Sequence, residues 1–311
     1  MRIAFLGSPE FAIPSLSMLF EEGHTLCVFT QPDRPVGRHG KPVPTPVRAF
    51  AQEHGIPSLA FEKIRSEEGV AALKAFDPDL MVTAAFGQLL SAENLAVPEY
   101  GCINVHGSLL PKYRGAAPIQ WAVINGETET GITTMMTDIG MDTGDILLSR
   151  RVAIGPDETA GELYERLAGI GAEVLRETLD RLQAGTLVRI PQNPDEATKC
   201  VMLRKEHGRL DFHQPAAAVH NRVRGTNPWP GAFAMLDDQP LKIWKTALPS
   251  PGSAPELPPE PGTCEEAGKG RLFVRCSDGM LEILELQLPG GKRLDASTFL
   301  RGNHLAGRIL Q

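Results

Sequence analysis

Long apolar runs are missing from this chain of 311 residues, and no stretch reaches the roughly 18 residues that a bilayer-spanning helix needs. Cysteine is sparse. Cys27, Cys102, Cys200, Cys264 and Cys276 are an odd number, with no C-x-x-C pair. That pattern argues against a disulfide framework or a zinc knuckle, and fits reduced thiols in a cytoplasmic protein that binds no metal. The opening MRIAFLGSPEFAIP carries one basic residue and a strand-length apolar run ending in Gly-Ser-Pro, which is not the layout of a signal peptide. Its first turn, G-S-P-E-F-A, has neither a G-x-G-x-x-G fingerprint nor a P-loop lysine, so dinucleotide chemistry has little support. A serine nucleophile lacks its setting as well, because Ser108 follows Gly107 without the G-x-S-x-G context. No internal repeat is visible. Positive charge is also short, with a net charge of −7. The acidity lies in residues 1–204, whereas 205–311 is close to balance, and Gln31–Arg48 runs the other way. There Arg34, Arg38, Lys41 and Arg48 stand against Asp33 alone, a local basic loop able to meet a phosphate backbone.

What is present is an alternation of short apolar runs with helical patterns. Ile3–Leu6, Leu26–Thr30, Leu80–Ala85, Cys102–Val105 and Ile132–Met136 read as strands. Pro9–Glu22, Pro46–His54, Ser66–Phe76 and Pro118–Asn125 read as helices, the first with Ser8 as its cap. A long helix, Ala160–Ala184, stops at Gly185. The expected fold class is α/β, a Rossmann-like parallel sheet with helices on both faces. After a short helix, Ala216–Arg224, the segments Ala232–Leu236, Leu241–Ala247, Leu272–Cys276 and Leu281–Leu286 alternate with turn signals, as in a small OB-like antiparallel barrel. The expected domains are 1–190, a linker 191–208, and 209–311.

Chemistry concentrates between Gly101 and Ile146. Asn104 and His106 are two residues apart at the end of a strand, so they share a face. A second polar cluster, Asp138 to Asp145, is broken by Gly140 and Gly144. An amide, an imidazole and a carboxylate delivered by two glycine-containing loops suit acyl transfer: oxyanion donors, a proton shuttle and a charge to orient it. Spacing alone leaves Asp138, Asp142 and Asp145 as equal candidates for the carboxylate.

The run N-V-H-G-S-L-L-P-K-Y-R-G-A-A-P-I-Q-W followed by D-I-G-M-D-T-G-D resembles the signature of the formyltransferases that use 10-formyltetrahydrofolate. RIAFLGSPEFA, QPDRPVGRHGKPVPTPV and NPWPGAF resemble the branch of that family whose acceptor is methionyl initiator tRNA. The resemblance extends almost end to end, thinning over the last third. It implies Asn104, His106 and Asp142 as the catalytic trio. For the folate donor it implies Ser108, Leu109, Leu110 and Pro111, with Phe86, Gly87, Gln88, Leu89, Leu90, Asp138 and Gly140. For tRNA it implies Arg38, with Arg34 and Lys41 beside it on the proline-rich loop. A second, less specific tRNA surface is expected on the barrel, with Arg222, Arg224, Lys242, Lys245, Lys292, Arg293 and Arg301 as candidates. The enzyme is expected to act as a monomer. Two other readings compete. A formyltransferase for a small amine, such as an amino sugar or glycinamide ribonucleotide, would share the trio but have no use for the basic loop or barrel. An RNA-binding module with a relic site would not need the trio intact.

Overall fold

The computed structural model describes residues 1–35 and 40–311. Ile3–Leu6 is a continuous apolar run, and all four side chains are fully buried. Such a run suits a parallel strand covered on both faces. It forms β1 (Arg2–Gly7), flanked in parallel by β2 (Thr25–Thr30) and, on the other side, a later strand (Leu80–Ala84). With β3 (Ser58–Ala60), β4 (Leu80–Ala84), β5 (Cys102–His106), β6 (Glu129–Met136) and β7 (Ile146–Ala153), the sheet order is β7-β6-β5-β4-β1-β2-β3. The expected parallel sheet is correct for β1 to β5, but β6 runs antiparallel to β5. That reversal places Thr133 opposite His106 and Thr134 opposite Val105.

Helix positions follow local chemistry. In α1 (Ile13–Glu21) the expected cap is not used: Pro9 opens a 3₁₀ turn, Glu10–Ala12, and the Ser8 hydroxyl instead accepts the Gln31 N–H. In α2 (Pro46–Glu53) the Thr45 hydroxyl accepts from the Arg48 N–H, with Pro46 in the first turn. Ser66 does the same for α3 (Glu67–Phe76), whose glutamates at the start and Lys74 at the end complement the helix dipole. A short α4 (Ala92–Leu95) and α5 (Pro118–Ile124) follow. In α6 (Ala160–Gln183), Gly171 faces Val105, where an added Cβ would lie 3.0 Å from its Cγ1. The missing side chain lets this helix lie close against β5.

The chain divides into two compact units. The first comprises Met1–Gly115, Thr130–Val152 and Tyr164–Cys200; the second comprises Ala116–Glu129, Ala153–Leu163 and Val201–Gln311. Within the second, α7 (Ala216–Gly225) precedes β8 (Ala232–Leu236), β9 (Gln239–Ala247), β10 (Cys264–Ala267), β11 (Arg271–Arg275), β12 (Met280–Gln287) and β13 (Leu294–Asp295), with α8 (Ala296–Leu300) near the end. The antiparallel order is β8-β9-β12-β11-β10, with β13 beside β12. The last residues close it. Met235 of β8 exchanges two backbone hydrogen bonds with Gln311, while Leu310 and Gly307 donate to Gly262 and Cys264 at the opposite edge. Capping both free edges in this way removes sites for unwanted strand pairing. A core including Val274, Ile283, Leu286 and Phe299 fills this unit.

One barrel-side expectation is corrected. Arg224 is buried and is no surface contact, because Nη1 donates to the Gly155 and Glu158 carbonyls and Nε to Asn221 Oδ1. Its neighbour His220 is also buried, with Nδ1 on the Thr246 hydroxyl and Nε2 near the Pro156 carbonyl and Asp157. Burial above all, and then the Arg224 charge, hold its pKa below the usual 6.5. The Pro156 carbonyl and Asp157 oppose that shift. Because the unfolded chain takes up this proton first, the contribution to stability is complete above pH 6.5 and is lost as pH falls toward the folded value. Thermal midpoints measured from pH 7.5 to 5 should therefore fall more steeply for the native chain than for His220→Gln.

Candidate active site

The C-terminal end of β5, between β4 and β6, projects Asn104 and His106 to one face. Crevices at the carboxyl ends of parallel strands are the usual ligand sites of open α/β sheets. Thr83 on β4 stands in register with Asn104, and its hydroxyl donates to Asn104 Oδ1 at 2.9 Å. That bond fixes which end of the amide is which, so the Nδ2 hydrogens are left to donate. His106 is 6% exposed, and its Nε2 lies 3.0 Å from the Tyr113 carbonyl. A carbonyl only accepts, so this nitrogen carries a hydrogen. The other nitrogen, Nδ1, faces Asp142 Oδ2 at 3.8 Å.

Asp142 sits on the loop between β6 and β7 with φ +55°, a left-handed conformation that aspartate tolerates better than most residues. Its Oδ2 accepts the Gly115 N–H at 2.7 Å. Asp138 has a different occupation: its Oδ1 accepts the Gly140 N–H at 3.0 Å and the Thr143 hydroxyl at 2.7 Å, which folds the loop on itself. Gly144 is buried where an added Cβ would overlap the Met136 carbonyl.

The Ser108–Pro111 segment is pinned from below. The Thr133 hydroxyl donates to the Ser108 carbonyl at 2.7 Å and lies 3.2 Å from the Leu110 N–H. Ser108 is fully buried with its hydroxyl donating to the Lys112 carbonyl, and Leu110 is buried too. Leu110–Pro111 is a cis peptide bond. In Phe86–Leu90, Phe86 and Leu90 are buried, Gly87 has φ +75°, and Leu89 is 53% exposed. Gln88 braces that turn, donating to the Phe61 carbonyl and accepting the Ile64 N–H.

Cys200 lies next to this site, its Sγ 3.4 Å from the Arg114 carbonyl. Burial, and then the charge of Asp142, push its thiol up to about 12, so it is no thiolate nucleophile at neutral pH. Among the described residues, no three His, Cys, Asp or Glu side chains are grouped as a metal ion would need. Nor is any helix there long and apolar enough to cross a membrane.

A family profile described as "Formyl transferase" matches residues 1–179, and one for the "Formyl transferase, C-terminal domain" matches 202–304. The chain belongs to the formyl transferase family. Proteins named methionyl-tRNA formyltransferase in Ruminiclostridium cellulolyticum and Geobacter metallireducens are 48% and 50% identical to it. These alignments cover 98% of this chain in both cases, and 97% and 96% of those proteins. Among solved structures, WlaRD, a sugar 3N-formyl transferase, matches with a TM-score of 0.66 at 20% identity, over 93% of this chain and 97% of that one. HypX from Aquifex aeolicus in complex with tetrahydrofolic acid matches with a TM-score of 0.64 at 18% identity. That match covers 96% of this chain and 47% of HypX, so the chain spans about half the length of that protein. At such identities the two structures speak for the shared fold.

Asn104 and His106 share one face of this crevice, and His106 has Asp142 as its facing carboxylate. On the basic loop, Arg34–Pro35 pairs with Pro42–Val43 in a two-rung antiparallel ladder. Arg34 and Lys41 are exposed there, while Arg38 lies outside the described residues. Four participants were not singled out from sequence: Thr83, Thr133, Gly115, and Gln192, whose Nε2 donates to the Asp142 and Gly144 carbonyls. The β-strand register could have found the two threonines, since they stand opposite Asn104 and His106. Gly115 lies within the quoted signature run but nothing there ties it to Asp142, and Gln192 leaves no local signal.

Proposed function

We propose that this chain transfers the formyl group of 10-formyltetrahydrofolate to the α-amino group of methionyl initiator tRNA. The observation that carries this reading is near-half identity, end to end, to proteins named methionyl-tRNA formyltransferase. The sugar N-formyltransferases share the fold at only 18–22% identity, which favours the tRNA acceptor over a small amine.

The acceptor is an ordinary α-amine with a pKa of about 7.7–8.0, so a usable fraction is neutral near pH 7. Its nitrogen attacks the formyl carbon; a new C–N bond forms, the bond to N10 of the folate breaks, and one proton passes from the amine to N10. Asn104 donates through Nδ2 to the tetrahedral oxyanion, with Thr83 holding the amide in that sense. His106 carries the proton on Nδ1, and Asp142 orients the ring and offsets its charge. No covalent enzyme intermediate is required.

The folate ring is read mainly by backbone groups of Phe86–Leu90 and Ser108–Pro111, because Phe86, Leu90, Ser108 and Leu110 are themselves buried. Leu89, exposed, supplies an apolar wall. Asp138 and Gly140 shape the loop behind Asp142. Arg34 and Arg38 meet the tRNA backbone through planar, bidentate guanidinium groups, and Lys41 adds an ammonium point charge beside them. The enzyme works in the cytoplasm as a monomer.

The test is formyl transfer from 10-formyltetrahydrofolate to charged initiator tRNA, beside elongator methionyl-tRNA and a nucleotide-linked amino sugar. Transfer confined to the initiator supports the proposal. Transfer to the amino sugar alone would replace it with the small-amine reading.

A further inference from the structure

We infer that Gln192 is a positioning residue for this reaction, holding the Asp142 loop in its working shape through a relay anchored on Arg114. The inference rests on Asp142 serving the reaction as proposed above. Gln192 Nε2 donates to two backbone carbonyls of that loop, Asp142 at 2.9 Å and Gly144 at 2.7 Å. Its Oε1 accepts both Nε and Nη2 of Arg114, at 2.9 and 2.7 Å. Carbonyls only accept and a guanidinium only donates, so the amide has one possible orientation and all of its hydrogen-bonding capacity is used.

Arg114 is itself fixed. Its N–H donates to the Thr198 carbonyl, and Arg114–Gly115 pairs in parallel with Lys199–Cys200. From the same bridge the Gly115 N–H reaches Asp142 Oδ2. One small two-stranded unit therefore holds the backbone of Asp142 through Gln192 and its carboxylate through Gly115. The backbone grip matters because Asp142 stands at φ +55°, a left-handed conformation that costs even an aspartate something and is steadied by the bonds around it. Released, the loop can relax and carry the carboxylate away from its 3.8 Å approach to His106. A displacement of about 1 Å at a reacting group can lower turnover by about a hundredfold.

The experiment is single-turnover and steady-state formyl transfer with the full chain, 10-formyltetrahydrofolate and methionyl initiator tRNA. It compares the native protein, Gln192→Ala, Gln192→Glu, Asp142→Asn and the double variant Gln192→Ala/Asp142→Asn. Gln192→Ala is expected to lower kcat about ten- to a hundredfold, with KM for both substrates within about twofold. Gln192→Glu keeps the acceptor for Arg114 but sets a carboxylate against two carbonyls, and should be at least as impaired. If Gln192 acts through Asp142, removing it in the Asp142→Asn background costs less than about threefold more. Losses that multiply in the double variant would mark a generic structural role and overturn the inference, as would full kcat in Gln192→Ala beside an inactive Asp142→Asn. Full activity in Asp142→Asn would instead bring down the proposed site itself, and the relay with it. Should Gln192→Ala fail to fold, Gln192→Met keeps the volume and repeats the test.

Discussion

Alanine in place of His106 is expected to reduce the rate of formyl transfer by about a thousandfold, within the 10²–10⁴ range typical of a positioned acid–base group. The ring is pinned at Nε2 by the Tyr113 carbonyl, so only Nδ1 remains to exchange a proton, and it faces Asp142. The substitution removes that carrier while leaving Asn104 and its Thr83 support in place. Asn104→Ala should then lose about 10²–10³ by the separate route of a missing oxyanion donor. The tRNA contacts proposed lie on other segments, so KM for tRNA should stay nearly constant while kcat falls. Single-turnover kinetics with pre-bound tRNA would check this. A His106→Ala enzyme keeping a tenth of the native rate would move the proton path elsewhere. Asp142→Asn sharpens the comparison, because its amide oxygen can still accept the Gly115 N–H while the charge is gone.

Much of this architecture can be read from periodicity and punctuation. The helices at 46–53, 67–76 and 160–183 begin and end within a residue or two of where caps, prolines and Gly185 place them. The strands that sequence reasoning passes over, among them Ser58–Ala60, Ile146–Ala153, Cys264–Ala267 and Leu294–Asp295, are short or half-exposed, and they lack the uninterrupted apolar run of β1. The antiparallel β6 could not be told from a parallel strand, because side-chain alternation is blind to direction. In the site, Asn104 and His106 are legible because a period of two puts them together. Which of Asp138, Asp142 and Asp145 faces His106 is not: it depends on a left-handed turn at Asp142 and on Asp138 being spent on Gly140 and Thr143. Gln192 and Gly115 are less legible still, since their partners are 50 and 27 residues away.

Gly144→Ala is expected to be the most damaging of the small substitutions, and its cause is space alone. The residue carries no positive φ, so its backbone would accept a side chain. The added Cβ would fall on the Met136 carbonyl, where β6 ends and the Asp142 loop begins. Neither partner can yield cheaply. The Met136 N–H is bonded to the Asp145 carbonyl, and the Gly144 carbonyl is held by Gln192. Relief has to come from displacing the loop, and Asp142 is two residues away. Overpacking of this kind lowers stability by about 1–3 kcal/mol, and a loop shift near 1 Å lowers turnover by about a hundredfold. Gly169→Ala is the control. It is an exposed position inside α6 with nothing within 4 Å of the new methyl, and helix propensity predicts a gain of about 1 kcal/mol. Thermal melts and initial rates on the pair separate the two effects: Gly169→Ala should melt higher at native activity, while Gly144→Ala loses far more rate than its stability change explains. Native activity in Gly144→Ala would mean that the loop can shift without moving the carboxylate, and that Asp142 is held by Gly115 alone.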